Sequence, residues 1–229
     1  MDYEGFMDLV RGRRSHWHFR PEPVPDALVE KVVDAARYAP SAYNSQPWEF
    51  VVVRDAGLRE EITRIVAEGL PGLPPKLPPP PGPAGVGVPA KDPLGFRTAP
   101  VFLVVLGDTR VRAFGPPFVR EADGRWESIF TTSLAVAYEH MHLAAASLGL
   151  ATRWVTAVVE PPTANKIREL LGIPSEMAVY EMMALGYSDF EPLPKKMRPL
   201  SEVMHFDACG EKDFRTAEEV AGYFAGRTI

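Results

Sequence analysis

Two short runs of apolar residues constrain the fold of this chain more than any other feature. Residues 50–53 and 100–107 are rich in valine and leucine and contain no charged or hydroxyl-bearing side chain. A strand that faces water on one side alternates apolar and polar residues, whereas a strand covered on both sides is apolar throughout. The two runs therefore predict strands that lie between layers of helices.

The rest of the chain alternates helical and extended patterns. Apolar residues three and four positions apart predict helices, over residues 3–13, 26–39, 58–69, 131–148 and 162–171. Two further strands are predicted over 153–159 and 179–185. This interleaving predicts an α+β or α/β class. The helix over 131–148 is apolar nearly all round, so we expect it to be buried in the core or against a partner subunit.

Composition excludes several classes of function. The chain has 229 residues and a net charge of −5, which gives no electrostatic footprint for nucleic acid or an anionic membrane. Its apolar runs are too short to span a bilayer, and its first residues show no apolar signal segment. Cys209 is the only cysteine, so no intrachain disulfide or cysteine-built metal site is expected. The expected location is the cytoplasm.

A proline-rich segment interrupts the pattern at residues 71–93. It holds ten of the 24 prolines and four of the 18 glycines, and neither helix nor sheet forms well with that composition. Such a segment is either a surface loop or a lid over a functional site. We expect one domain over residues 1–206 and a C-terminal tail over 207–229, whose role the sequence does not indicate.

Three polar clusters stand out from the apolar background. Arg13-Arg14-Ser15 and Lys195-Lys196-Met197-Arg198 are cationic and suit a phosphate group. Between them, Asn44 and Gln46 lie in a turn bounded by prolines and offer donors and acceptors to a polyol or a pyrimidine edge. Each cluster has an ordinary alternative, namely a solvated charge pair or a turn capped by its own side chain. Together they favour flavin mononucleotide (FMN).

The motifs resemble those of the FMN-dependent nitroreductase family. The similarity covers about residues 6–206, in the family's order. It rests on Arg13-Arg14-Ser15 with Phe19, on residues 39–50, on Gly149-Leu150 before Arg153-Trp154-Val155, and on Leu185-Gly186-Tyr187 with residues 195–206.

The resemblance implies a fold and a set of cofactor ligands. The family fold is a central mixed sheet flanked by helices, in an intertwined homodimer with two sites at the subunit interface and the 131–148 helix in that interface. The FMN phosphate and its surroundings are assigned to Arg13, Arg14, Ser15, Lys196 and Arg198. The residues that reach the flavin from the other subunit are Pro40, Ser41, Ala42 and Asn44, with Gln46 in the same turn. Those beside the isoalloxazine ring are Trp154, Val155, Thr156 and Ala157.

The resemblance also implies a reaction. NADH or NADPH would deliver hydride to flavin N5 in a ping-pong scheme, and a nitroaromatic, quinone or related conjugated acceptor would then be reduced. The flavin carries the chemistry, so no catalytic side chain and no metal are expected. Tyr43, Phe114 and Phe118 are candidates for the acceptor slot. The alternatives are dehalogenation, dehydrogenation or flavin fragmentation on the same fold, or an FMN-binding module with little turnover.

One position departs from the family pattern. The second residue after Ser15 is usually Arg or Lys, near flavin N1 and the C2 carbonyl, and here it is Trp17. A cation there stabilises the negative charge of a reduced flavin. We expect Trp17 in the cofactor site and consider three outcomes. His16 or His18 replaces the cation, or the reduced flavin is less stabilised and the range of acceptors is altered. In the third outcome the Trp17 side chain packs against the protein and a distant base supplies the charge.

Overall fold

The computed structural model describes residues 2–70, 92–121, 124–189 and 195–225. Its contacts divide the chain into two units, Met1–Pro192 and Leu193–Ile229, which we describe separately. The proposed domain boundary at residue 206 stays a prediction. Most of the proline-rich segment, residues 71–91, lies outside the described residues, so the choice between loop and lid is not tested.

The first unit contains ten helices and strands within its described residues. In chain order they are α1 (Tyr3–Gly12), α2 (Asp26–Arg37), β1 (Trp48–Val53), α3 (Ala56–Gly69), β2 (Val101–Asp108), α4 (Pro117–Arg120), α5 (Arg125–Ser147), β3 (Ala151–Val155), α6 (Pro161–Leu171) and β4 (Met177–Gly186). The second unit contributes α7 (Ala217–Ala225).

The four strands form one sheet in the order β1-β2-β4-β3. All neighbouring strands are antiparallel, and a parallel bridge joins Ser15 to Thr152 at the outer edge of β3. The register between β2 and β4 shifts between Val105 and Leu106, because Val105 pairs with Glu181 and Leu106 with Val179. Tyr180 is therefore the extra residue of a β-bulge.

Helices cover both faces of the sheet. Helices α2 and α5 pack on one face around Val32, Leu134 and Tyr138, and α3 and α6 pack on the other around Ile62 and Ile167. These are the three layers of an α/β/α arrangement. The predicted α+β class with helices flanking a central sheet is thus confirmed.

The apolar runs behave differently because of their places in the sheet. In the central strand β2, residues 101–106 are all buried, as the unbroken apolar run predicts. Strand β1 lies at an edge, and its Val52 is 43% exposed. The prediction that this strand is buried on both faces is therefore only partly right, because the layer over the face that carries Val52 leaves part of this side chain uncovered.

Several element boundaries differ from the predicted ones. Helix α5 begins at Arg125, six residues earlier than predicted. Strand β3 ends at Val155 instead of 159, because Thr156–Val158 form a 3₁₀ turn. The predicted end of α6 at Gly172 is confirmed, with glycine in the left-handed conformation at φ 64°. Throughout the described residues, no helix has both the length and the apolarity needed to cross a membrane.

Candidate active site

A cationic cavity lies where α1, α5 and β3 end or begin. Its volume is about 270 Å³, and its lining includes Asp8, Arg13, Arg14, His16, Gly149 and Thr152. With His16 neutral, the charged side chains of this lining sum to one positive charge. Arg13 is also 3.6 Å from Glu139 of α5, measured from Nε to Oε1. Arg14 donates to the backbone carbonyl groups of Arg11 and Arg13. Two guanidinium groups therefore line the cavity and offer donors to a small anion, while the Glu139 carboxylate offsets part of the charge of Arg13.

Backbone hydrogen bonds fix the segment that follows these arginines. The bridge from Ser15 to Thr152 is accompanied by a hydrogen bond from His16 N to Thr152 O of 2.9 Å. Phe19, which is buried, donates from its backbone N to Thr98 Oγ1 at 2.9 Å. The chain after Arg14 thus runs along the open edge of β3. This placement brings the predicted residues Arg13, Arg14 and Ser15 beside the strand that carries Trp154.

The predicted polar turn at residues 40–47 has a strained backbone. Tyr43, Asn44 and Gln46 have φ values of 58°, 51° and 44°, a region that side-chain-bearing residues seldom adopt. Ser41 Oγ accepts from Gln46 N at 3.0 Å. On the helix side, Ala42 N donates to Ser133 Oγ of α5 at 3.3 Å. Strain of this kind is often found at ligand-binding sites, so the turn stays a candidate.

Trp154 is a partly exposed aromatic surface on β3. Its side chain is 39% exposed and lies on the α5 side of the sheet, opposite Met183. Its ring meets Tyr138 edge-on, with centroids 4.7 Å apart, and stacks on His142 at 5.7 Å. We call Tyr138, His142 and Trp154 the aromatic cluster. Such packing holds the indole in place while leaving part of it open to a ligand.

The neighbours of Trp154 contribute in different ways. Val155 is buried in the core on the other face of the sheet, and Ala157 packs against that core. Their side chains therefore serve packing, so any contact they make with a cofactor has to come from the backbone. Thr156 is exposed at the start of the 3₁₀ turn.

Trp17 is packed against a cation that the sequence reasoning missed. The guanidinium carbon of Arg153 lies 3.7 Å from the Trp17 ring centroid, and its nitrogens donate to the carbonyl groups of Asp92 at 3.0 Å and Pro93 at 3.1 Å. Burial lowers the pKa of Arg153 to about 10, so it is charged at neutral pH. This geometry favours the packing outcome for Trp17. The sequence offered no pattern that links two residues so far apart.

Gly95 is required beneath Trp17. A Cβ atom built at Gly95 would lie 1.8 Å from the backbone oxygen of Trp17, so only glycine permits this close approach. The backbone of Trp17, whose ring stacks on Arg153, thus lies in direct contact with the backbone at residue 95.

The predicted roles of the remaining site residues stay predictions. Phe114, Phe118 and Tyr43 are 88%, 60% and 56% exposed, and their place in an acceptor slot stays a prediction. Lys196 and Arg198 belong to the second unit, where Arg198 Nη2 donates to Glu202 O at 2.6 Å. Their predicted role at the phosphate likewise stays a prediction, as does that of exposed Pro40.

Comparison with known proteins decides the family. The sequence model described as the nitroreductase family matches residues 10–187. The chain belongs to the nitroreductase family. An NADH dehydrogenase of Thermus thermophilus is 31% identical over 199 residues, covering 84% of this chain and 91% of that protein. The resemblance seen in the sequence is confirmed, as is the expectation that the chain is an oxidoreductase.

Solved structures of nitroreductases share the fold. Nitroreductase A of Vibrio parahaemolyticus superposes with a TM-score of 0.71 at 21% identity, covering 97% of this chain and 82% of its own. A nitroreductase of Bacteroides fragilis with bound FMN gives a TM-score of 0.62 at 21% identity, covering 88% and 98%.

Relatives with other activities also match. A 5,6-dimethylbenzimidazole synthase of Rhodospirillum rubrum is 28% identical over 208 residues, which is 87% of each chain. Iodotyrosine deiodinase 1 of Rattus norvegicus is 38% identical, but over only 68 residues, or 30% of this chain and 24% of that protein. Membership of the family therefore does not by itself determine the reaction.

Proposed function

We propose that this chain is an FMN-dependent NAD(P)H oxidoreductase that reduces nitroaromatic, quinone or related conjugated acceptors. The observation that carries the proposal is the arrangement along β3, where the cationic cavity and the half-exposed indole of Trp154 adjoin the same strand. Thr152 lines the cavity, and Trp154 is two residues further on, about 7 Å along the strand. An anion site beside an aromatic surface suits a ligand with a phosphate at one end and a flat ring at the other.

The residues present fit the cofactor in charge as well as in spacing. Arg13 and Arg14 would hold the phosphate, with Ser15 adding a hydroxyl group at the edge of β3. Trp154 and the backbone of the 3₁₀ turn that follows would lie beside the ring. Arg153, held against Trp17, would supply the positive charge that the family pattern places at position 17. Bound FMN would take hydride from a nicotinamide and pass it to the acceptor.

A second copy of the chain would complete the site. The outward side of α5 includes half-buried Ala135 and Leu143, apolar residues on a helix whose other side already packs on the sheet. The strained turn at residues 40–47 is attached to the same helix through Ser133. We therefore propose a homodimer that associates through α5 and brings this turn to the partner's cofactor. Sedimentation analysis at micromolar concentration is expected to give a dimer.

The proposal is tested by loading the protein with FMN and mixing it anaerobically with NADH or NADPH while following the flavin absorbance. Rapid bleaching with either nucleotide, then recovery on addition of a nitroaromatic or a quinone, is expected. The variant Arg13→Ala should bind FMN about 10 to 100-fold more weakly, because it loses charge-assisted hydrogen bonds worth about 1.5–3 kcal/mol. Arg11→Ala is the matched control, since its side chain is 61% exposed on the same helix. Equal loss of FMN in both variants would contradict the assignment.

A second candidate is favoured by the synthase relative, which matches over nearly the whole chain. In that case FMN would be consumed and not recycled. Chromatography of the flavin after reduction and exposure to air separates the two candidates, because an oxidoreductase returns intact FMN. A reductase that turns over many acceptor molecules per flavin would contradict the second candidate. An FMN-binding module would retain the flavin but bleach slowly or not at all.

A further inference from the structure

An acidic side chain lies next to the aromatic cluster. Glu181 of β4 pairs with Val105 of β2, and directly paired residues of antiparallel strands share a face. Val105 belongs to the core on the α5 side of the sheet, so Glu181 points to the side that holds Tyr138 and Trp154. The β-bulge makes Tyr180 an extra residue on the same strand, and Tyr180 packs against that core as well.

The surroundings of Glu181 disfavour its charged form. Burial raises the pKa of its carboxyl group to about 7, and a hydrogen bond from the Trp154 side chain acts in the opposite direction. Its Oε2 atom is buried and has no hydrogen-bond partner among the described residues. An acid of this kind gains and loses its proton near neutral pH, where most carboxyl groups stay ionised.

The other groups that face Glu181 do not compensate its charge. Tyr138 reaches it from α5 and Tyr180 from β4, and burial raises the pKa of both phenols, so both are neutral near pH 7. The Tyr138 hydroxyl already donates to the Met182 carbonyl at 2.8 Å. Strand β2 contributes uncharged Val105, and β3 contributes the Trp154 indole. Among these groups, the Trp154 indole is the hydrogen-bond donor to the Glu181 carboxyl group.

We propose that Glu181 is a positioning residue of the flavin site, which sets the Trp154 indole through a hydrogen bond that strengthens when the carboxyl group is ionised. This inference rests on the proposed function, because it is there that Trp154 meets the cofactor. Hydrogen bonds to an ionised acceptor are about twice as strong as neutral ones. Tyr138 and His142 restrict the ring on its packed sides, so a change at Glu181 is transmitted to the exposed side of the indole.

The same charge acts on the electron affinity of a neighbouring flavin. An ionised Glu181 opposes the negative charge that accompanies flavin reduction, whereas a protonated Glu181 does not. Reduction should therefore raise the proton affinity of Glu181. Uptake of a proton by this side chain would accompany reduction within the pH range where it titrates.

The first experiment needs no flavin. Intrinsic tryptophan emission of the FMN-free chain is recorded from pH 5 to pH 9 for the wild type and for Glu181→Gln, which keeps the side-chain shape and removes the titration. We expect a transition with a midpoint near pH 7 that disappears in Glu181→Gln. It should also disappear in Trp154→Phe, which identifies the reporter among the four tryptophans. Glu49→Gln, an exposed acid on β1, is the matched control and should retain the transition.

The second experiment measures the reduction potential of the bound flavin over the same pH range. Coupling of one proton to a two-electron reduction adds about 30 mV per pH unit to the slope. We expect this additional slope in the wild type and in Glu49→Gln, and its loss in Glu181→Gln.

The outcomes separate this inference from the proposed function. A missing emission transition, or one that persists in Glu181→Gln, would overturn the Glu181–Trp154 pair whatever the flavin does. A Glu181-dependent transition with identical potential slopes in the wild type and Glu181→Gln would overturn the link to the flavin. A chain that shows the transition but binds no FMN would support the pair and contradict the proposed function.

Discussion

On the two faces of β3, an indole lies beside a half-buried charged side chain in opposite ways. On the α5 face, Trp154 approaches the carboxyl group of Glu181 with its N–H edge. On the other face, Trp17 presents the surface of its ring to the Arg153 guanidinium group at 3.7 Å. An aromatic ring is negative over its face and positive at its edge, so each tryptophan meets the charge that suits the side it offers. Strand β3 thus contributes the base Arg153 and the indole of Trp154, while the acid Glu181 comes from the neighbouring strand β4.

The difference between the faces lies in how the charge is held. Arg153 has two carbonyl acceptors and a ring, and its pKa of about 10 keeps it charged at neutral pH. Glu181 accepts a hydrogen bond from the Trp154 indole, but its Oε2 atom has no hydrogen-bond partner among the described residues. Its pKa of about 7 allows it to gain or lose a proton near neutral pH. Arg153 therefore keeps its positive charge near neutral pH, whereas the negative charge of Glu181 changes with pH.

The largest expected effect comes from Gly95→Ala. The added Cβ would lie 1.8 Å from the Trp17 carbonyl oxygen, so the Trp17 segment has to move, at a cost of about 3 kcal/mol in unfolding free energy. Urea denaturation measures it. Gly222→Ala is the control, because a Cβ there meets nothing within 4 Å and alanine favours a helix. Equal stability of Gly95→Ala and the wild type would show that the close approach is not required.

The second largest effect is expected from replacing Arg153, the cation that stacks on Trp17. Arg153→Met keeps much of the side-chain volume but leaves the carbonyl groups of Asp92 and Pro93 without their donor. We expect a loss of about 2 kcal/mol in urea denaturation. The potential of bound FMN should also fall, because the reduced form loses a nearby positive charge. Arg153→Lys, which keeps the charge without the planar fork, should restore more of the potential than of the stability. An unchanged potential in Arg153→Met would remove Arg153 from the flavin site.

Substitution of Glu181 should have a smaller effect on the free energy of unfolding, and this effect should depend on pH. The folded pKa of Glu181 is about 7, above the ordinary 4.5, so the folded chain binds the proton more tightly than the unfolded chain. The stability contributed by this proton is complete below pH 4.5 and is lost as the pH rises through 7. Glu181→Gln should therefore be more stable than the wild type at pH 8, by about 1 kcal/mol after allowance for its partial exposure. A difference independent of pH would contradict the titration.

The smallest effect is expected from Trp17→Phe. Phenylalanine retains an aromatic face for Arg153 and loses part of the attraction, because tryptophan is the best partner for a cation. We expect a decrease below about 1 kcal/mol and little change in flavin potential. Trp17→Ala, which removes the ring, should lower the stability further. Equal destabilisation by the two substitutions would contradict a cation–π contribution, because phenylalanine keeps an aromatic face for Arg153 and alanine does not.

Much of the fold could be predicted from local patterns. The apolar run in β2 predicts a central strand because such a residue pattern is stable only when both faces are covered. Gly172 predicts the end of α6 because a left-handed residue stops a helix. The start of α5 was misplaced because residues 125–130 mix charged and apolar side chains, so that local periodicity is weak there, while Phe130 packs against the core. The end of β3 was misplaced because Val155 continues a β-branched pattern into a 3₁₀ turn.

The sequence by itself determined the α/β/α layering, the family and the arginine pair, because periodicity and short motifs are local properties of the chain. Only the tertiary structure decided that Trp17 stacks on Arg153 and that Glu181 adjoins Trp154. Both pairs join residues that are distant in the chain, and the second depends on the register by which β4 pairs with β2 and β3. Contacts of this kind arise from strand pairing across the sheet, which no local pattern specifies.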